Sequence, residues 1–139
     1  MKYENFEGPV EELVRMKIRE IEEKEHVRVL HVIESGSRAW GFASPDSDYD
    51  VRFVYVRQLK DYLRLEKTKD TIEWQLDDVL DISGWDLKKA LQLMHDSNPS
   101  IFEWCASPVV YQSSDAFEEL KRIRGDYYSR KKSLYHYLH

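Results

Sequence analysis

Gly36-Ser37-Arg38-Ala39-Trp40-Gly41-Phe42-Ala43-Ser44-Pro45-Asp46-Ser47-Asp48-Tyr49-Asp50-Val51 decides how the chain is read. It lies between two stretches with strand character. Upstream, Val27-Arg28-Val29-Leu30-His31-Val32-Ile33 is short and β-branched and stops at Ser35-Gly36-Ser37, as a buried strand does. Downstream, residues 48–56 alternate: Asp48, Asp50, Arg52 and Val54 face one side, Tyr49, Val51, Phe53 and Tyr55 the other. The linking segment, rich in Gly, Ser, Asp and Pro, is a loop with room for one helical turn near Arg38 to Trp40. A Gly-Ser pair at a strand end offers unobstructed backbone N–H groups and a hydroxyl to phosphate oxygens. Asp48 and Asp50, at i and i+2 on one strand, hold two carboxylates on one face, close enough to share divalent cations. Two Mg²⁺ ions held in that way would suit in-line phosphoryl transfer, although an isolated Asp-x-Asp is also a common turn or surface feature.

The rest of the chain frames this loop. Val10, Leu13, Val14, Ile18 and Ile21 recur at helical spacing among charged residues and predict an amphipathic helix over about 8–25, with Pro9 in its first turn. A short helix near 59–65 and a charged turn at 66–70 precede extended residues 71–75 and 79–83, read as a hairpin or two edge strands. Ser83-Gly84 is expected to end the second of these. Asp86 caps a helix running to about Ser97 with Leu87, Ala90, Leu91 and Met94 on its apolar face. Asn98-Pro99 introduces a helix over Ile101 to Cys105, and Val109 to Tyr111 forms a brief strand. Ser114 or Asp115 then caps a helix to about Tyr127. The order predicts an α+β (α/β) fold, a small mixed sheet flanked by helices.

Composition narrows the class. The chain has 139 residues, 42% hydrophobic and 34% charged, enough for one core without disulfides or a structural metal. Its one cysteine, Cys105, cannot form an internal bridge, and the five histidines have no metal-ligand spacing. No run approaches the about 20 apolar residues of a membrane span, and the N-terminus has no signal-like segment, so a cytoplasmic protein is expected. The net charge of −5 disfavours bulk attraction of nucleic acid, so any such contact must be local. Residues 121–132, with six Lys and Arg around Tyr127 and Tyr128, are a candidate place for it, although such a run is more often a solvated helix–turn–helix connection. An EF-hand beginning at Asp46 fails, since Val51 replaces the required glycine and Arg57 the final glutamate. A glycosyltransferase Asp-x-Asp would leave the Gly-Ser block unexplained.

Strand, Gly-Ser, helical turn and Asp-x-Asp opening the next strand resemble the nucleotidyltransferase superfamily of DNA polymerase β. The fuller pattern from Glu34 through Phe42 and Ser44 through Arg52 resembles the RlaP group of nucleotidyltransferases, linked to RNA repair. Residues 81–91, 98–104 and 107–111 extend the likeness, which covers about 26–111. The resemblance implies a polymerase β palm-like fold with a core over residues 1–112, and residues 113–139 as the start of a truncated C-terminal helical region. It implies Mg²⁺-dependent transfer of a nucleoside monophosphate from a nucleoside triphosphate to a hydroxyl acceptor, an RNA end being preferred, with Mn²⁺ as an alternative ion. In that scheme Gly36 and Ser37 bind phosphates, and Asp48 and Asp50 ligate two metal ions. The third carboxylate of the superfamily is assigned to Asp81, which stands between Leu80 and Ile82 on an extended segment, with Asp77 and Asp78 as alternatives. Arg38 is a candidate triphosphate ligand or a partner of Asp46 or Glu34. Lys89 is a candidate phosphate ligand or a solvated helix lysine. The four tryptophans, Trp40, Trp74, Trp85 and Trp104, are candidate base-stacking groups or core. The rival reading is a non-catalytic nucleotide-binding or antitoxin-like module. In either reading Tyr135, Tyr137 and Leu138 of the C-terminal helix offer a face for a homodimer or a protein partner.

Overall fold

A computed structural model describes residues 10–36, 49–75 and 80–123. Along the chain these form helix α1 (Val10–Glu25), strands β1 (Arg28–Glu34) and β2 (Tyr49–Val56), helix α2 (Leu59–Tyr62), and strands β3 (Thr71–Gln75) and β4 (Leu80–Asp86). Helices α3 (Leu87–His95) and α4 (Pro99–Ala106), strand β5 (Val110–Ser113) and helix α5 (Asp115–Ile123) complete the described part. The expected mixed sheet is present, with strand order β3-β4-β2-β1-β5. Among the described residues only β2 and β4 run parallel; the other three pairings are antiparallel.

The alternation of β2 sorts its side chains between two apolar layers. Val51, Phe53 and Tyr55 join Leu13, Val14, Ile18 and Ile21 of α1, while Val54 joins Ala90 and Met94 of α3, Ile101 and Trp104 of α4 and Phe117 of α5. Each fully buried aliphatic of α1 contributes about 2 kcal/mol relative to leaving it in water. β1 is buried on both faces but does not alternate simply. Its pairing with β2 slips between Val29 and His31, a bulge that sends Leu30 to the α3 and α4 side while Val29 and Val32 stay on the α1 side.

Several sequence expectations change at their edges. Ser83-Gly84 does not end β4, which runs on to Asp86. A Cβ on Gly84 would lie 2.4 Å from the Phe53 ring, so the glycine serves close approach between paired strands and not a break. Residues 71–75 and 80–86 do pair as a hairpin, yet only β3 is at the sheet edge, because β4 also pairs with β2. α4 is a turn longer than predicted: Asn98 accepts from the Ser100 N–H at 2.9 Å and Pro99 takes the first helical position. β5 is displaced to Val110–Ser113 by its register with β1. Asp86 caps α3 as expected, accepting from the Lys88 N–H at 2.8 Å, and the Tyr62 hydroxyl donates to its other oxygen at 2.8 Å. Residues 124–127, predicted as the end of the last helix, lie outside the described residues, as does Pro9. No helix among the described residues is long and apolar enough to cross a membrane.

His31 lies in the core. It is 1% exposed, and its ring stacks on Phe117 at 4.2 Å between centroids. The Ser113 hydroxyl donates to Glu118 at 2.7 Å, so its oxygen accepts from His31 Nδ1 at 2.9 Å. His31 Nε2 is buried without a hydrogen-bond partner among the described residues. Burial, reinforced by the Lys121 charge and opposed by Glu118, pushes the imidazole from 6.5 down to about 4. Between these values the unfolded chain binds a proton that the native state refuses, so stability is lost as pH falls from 6.5 toward 4. Urea unfolding of the wild type should lose on the order of 3 kcal/mol over that window through this residue. In His31→Gln that part of the pH dependence should vanish.

Candidate active site

Glu34 ends β1 with its side chain fully buried, an expensive place for a carboxyl group unless donors surround it. They do. The Asp50 N–H donates to Glu34 Oε2 at 2.8 Å and the Tyr111 hydroxyl to Oε1 at 2.9 Å. Burial raises its pKa; the donors from Asp50, Tyr111 and the Gly36 backbone pull it back down, and the Asp50 charge pushes it up again. Tyr111 itself is driven upward, first by burial and then by the Glu34 charge, so its proton stays available as a donor. The backbone of Glu34 is equally fixed, with its N–H on Val109 O at 3.0 Å and the Ser107 hydroxyl donating to its carbonyl at 2.6 Å.

From this anchor the chain turns across the start of β2. The Ser35 N–H donates to Asp50 O at 2.8 Å, and the Ser35 hydroxyl donates to the same carbonyl at 3.3 Å. Gly36 then passes so near that a Cβ there would meet Asp50 Oδ2 at 2.4 Å. A side chain there would force the Asp50 carboxylate to turn away from the Gly36 backbone.

Asp50 is paired directly with Asp81 across the parallel β2 and β4 strands. Residues opposite each other in a sheet share a face, so both carboxylates emerge together, each about two-fifths exposed. Arg52, two residues after Asp50 and on the same face, reaches between them. Its Nη2 lies 3.1 Å from Asp81 Oδ2 and 3.9 Å from Asp50 Oδ1, while Nη1 donates to Val51 O at 2.9 Å and Asp81 O at 3.5 Å. A cation therefore already stands between the two groups. The two carboxylates are hard oxygen donors of the kind Mg²⁺ takes, and the guanidinium stands where an ion shared between them would sit. Among the described residues no group of three His, Cys, Asp or Glu side chains converges.

Of the residues singled out by sequence, Gly36, Asp50 and Asp81 come together. Ser37, Arg38, Trp40, Asp48, Asp77 and Asp78 lie outside the described residues. Lys89 is elsewhere. It follows Asp86 at the far end of β4, about 16 Å of strand from Asp81. There its ammonium meets Thr71 Oγ1 at 3.0 Å and Asp70 at 3.7 Å, beside a cleft of about 430 Å³ lined also by Tyr62, Asp86 and Leu93. Trp85 and Trp104 stack on each other at 3.9 Å beside the α3 and α4 layer, and Trp74 packs on the α1 layer beneath Lys24.

Sequence reasoning gave no role to Glu34 beyond a possible partner of Arg38, and none to Arg52 or Tyr111. A carboxylate closing a largely apolar strand is a usable signal for Glu34, by the argument applied to Asp81. Arg52 was already placed on the carboxylate side by alternation. Tyr111 gave no local signal, because its partner is 77 residues away.

The sequence model of the RlaP family, described as the RNA repair pathway DNA polymerase beta family, matches residues 10–139. The chain is also 44% identical, over 123 residues, to a protein of Bacillus subtilis (strain 168) named Uncharacterized protein YcgL. That alignment takes in 88% of this chain and 47% of the relative, so the chain spans about half of the relative's length.

The Glu34 contacts generate a paired expectation. Replacement by Ala strands the Asp50 N–H and the Tyr111 hydroxyl and should cost about 2–4 kcal/mol in urea unfolding. Glu34→Gln keeps an acceptor and removes the charge. Because burial raises the wild-type pKa above 4.5, the native state holds that proton longer than the unfolded chain, and wild-type stability falls as pH rises through the window starting at 4.5. Unfolding measured against pH should show that fall absent in Glu34→Gln.

Proposed function

The chain belongs to the RNA repair pathway DNA polymerase beta family, and from that premise we propose that it is a Mg²⁺-dependent nucleotidyltransferase. The substrate is a nucleoside triphosphate and the acceptor a hydroxyl group, with an RNA end preferred. The observation that carries the reading is the pairing of Asp50 with Asp81 on adjacent parallel strands, with the Gly36 backbone laid against Asp50.

Asp50 and Asp81, joined by Asp48, would hold the divalent ions. Bound there, such ions lower the pKa of an attacking hydroxyl and neutralise charge on the departing phosphates. Gly36 and Ser37 present backbone N–H groups and a hydroxyl to the phosphates, and Arg38 adds positive charge. The acceptor oxygen forms a bond to the α-phosphorus as the bond to the bridging oxygen breaks. Pyrophosphate leaves, and the acceptor proton passes to Asp81 or to solvent. Glu34 contributes by positioning: it fixes the Asp50 backbone and the path of the Gly36 turn. Lys89, engaged with Thr71 and Asp70, has no part in this scheme.

The family description favours RNA as acceptor, and the six Lys and Arg in the sequence of residues 121–132 would offset the net charge of −5 locally.

Calorimetric titration of ATP, CTP, GTP and UTP with Mg²⁺ tests the proposal. Wild type should bind at least one of them, and Asp50→Ala/Asp81→Ala should weaken binding more than about tenfold. Pyrophosphate release that depends on added RNA identifies the acceptor. Binding without release, with or without RNA, favours the non-catalytic module instead.

A further inference from the structure

Two carboxylates directly opposite each other on neighbouring strands repel, and the pairing of Asp50 with Asp81 is sustained by a cation from the same strand. The Arg52 side chain is 20% exposed, half as accessible as the aspartates it joins. It is also tethered, since Nη1 donates to the Val51 carbonyl at 2.9 Å. A divalent ion would need the carboxylate oxygens that Arg52 Nη2 now faces. Like charges cannot share that position, so guanidinium and ion exclude each other.

Resting on the reading of this site as a divalent-ion and triphosphate site, we propose that Arg52 is a built-in counter-ion that yields the carboxylates to the incoming ion and turns to the triphosphate. A bare divalent ion leaves the guanidinium without an anion. An ion arriving with a polyphosphate brings the replacement anion along, and a planar guanidinium suits phosphate oxygens. Arg52 therefore makes the site select the ion–polyphosphate complex over the free ion. A plain structural strut between β2 and β4 would have no such selectivity.

The two probes are Mn²⁺ alone and Mg²⁺–tripolyphosphate, which carries the phosphate chain without base or acceptor. Titrated into the full chain, Arg52→Gln should bind Mn²⁺ at least about fivefold more tightly than wild type. It should bind Mg²⁺–tripolyphosphate at least about fivefold more weakly. These opposite signs are the signature of exchange. Shifts of the same sign, or no shift, with wild type still binding Mn²⁺, overturn the role of Arg52 and leave the metal site standing. Absence of Mn²⁺ binding in both proteins overturns the site reading and this proposal with it. Should Arg52→Gln not fold, the Arg52 side-chain Nε–H resonance of wild type, followed during Mg²⁺–tripolyphosphate titration, decides. A resonance displaced at saturation supports exchange, and one that stays fixed overturns it.

Discussion

One buried carboxyl group organises this end of the sheet. Glu34 sits where β1, β2 and β5 converge, and its oxygens receive the Asp50 N–H from one neighbour and the Tyr111 hydroxyl from the other. A buried carboxylate is tolerated only when its lone pairs are occupied, so these contacts come together or not at all. With them in place the exit of β1 is fixed, and Ser35 and Gly36 are drawn over the start of β2. The position of Asp50 follows from a group that does not itself face the site.

The second constraint is the parallel pairing of β2 with β4. Antiparallel neighbours dominate this sheet, and the one parallel pair sets the start of both strands side by side, with Asp50 opposite Asp81. Gly84 keeps that pair in register against the Phe53 ring, where any larger residue would collide. At the opposite end Asp86 and Tyr62 lock the turn into α3, and Lys89 closes on Asp70 and Thr71. The two ends thus differ: one is tied off by its own ion pairs and helix cap, and the other exposes two carboxylates balanced by one arginine.

Much of this was readable from residue pattern. Alternation along β2 correctly divided Asp50 and Arg52 from Val51, Phe53 and Tyr55, because a half-buried strand obeys a period of two. Asp86 and Asn98 announced their helices through cap chemistry. The failures were tertiary. Gly84 looks like a break in the sequence, because its reason for being glycine is a phenylalanine 31 residues earlier in the chain. Lys89 stands in the first turn of α3, and the direction of β4 places that turn at the opposite end of the strand from Asp81. The donors that satisfy Glu34 come from Asp50 and Tyr111 on the strands to either side of β1, a grouping that no local window contains.

The central claim is that a divalent ion binds at the start of β2 and β4. Paramagnetic broadening of backbone amide signals by substoichiometric Mn²⁺ addresses it directly, since the effect falls steeply with distance from the ion. Signals from residues 34–36, 49–52 and 80–83 should disappear first while those of Thr71, Asp86, Lys88 and Lys89 persist, and Asp50→Ala should abolish the pattern. Broadening centred on the Asp86 and Lys89 end, or spread evenly over the chain, would contradict the claim.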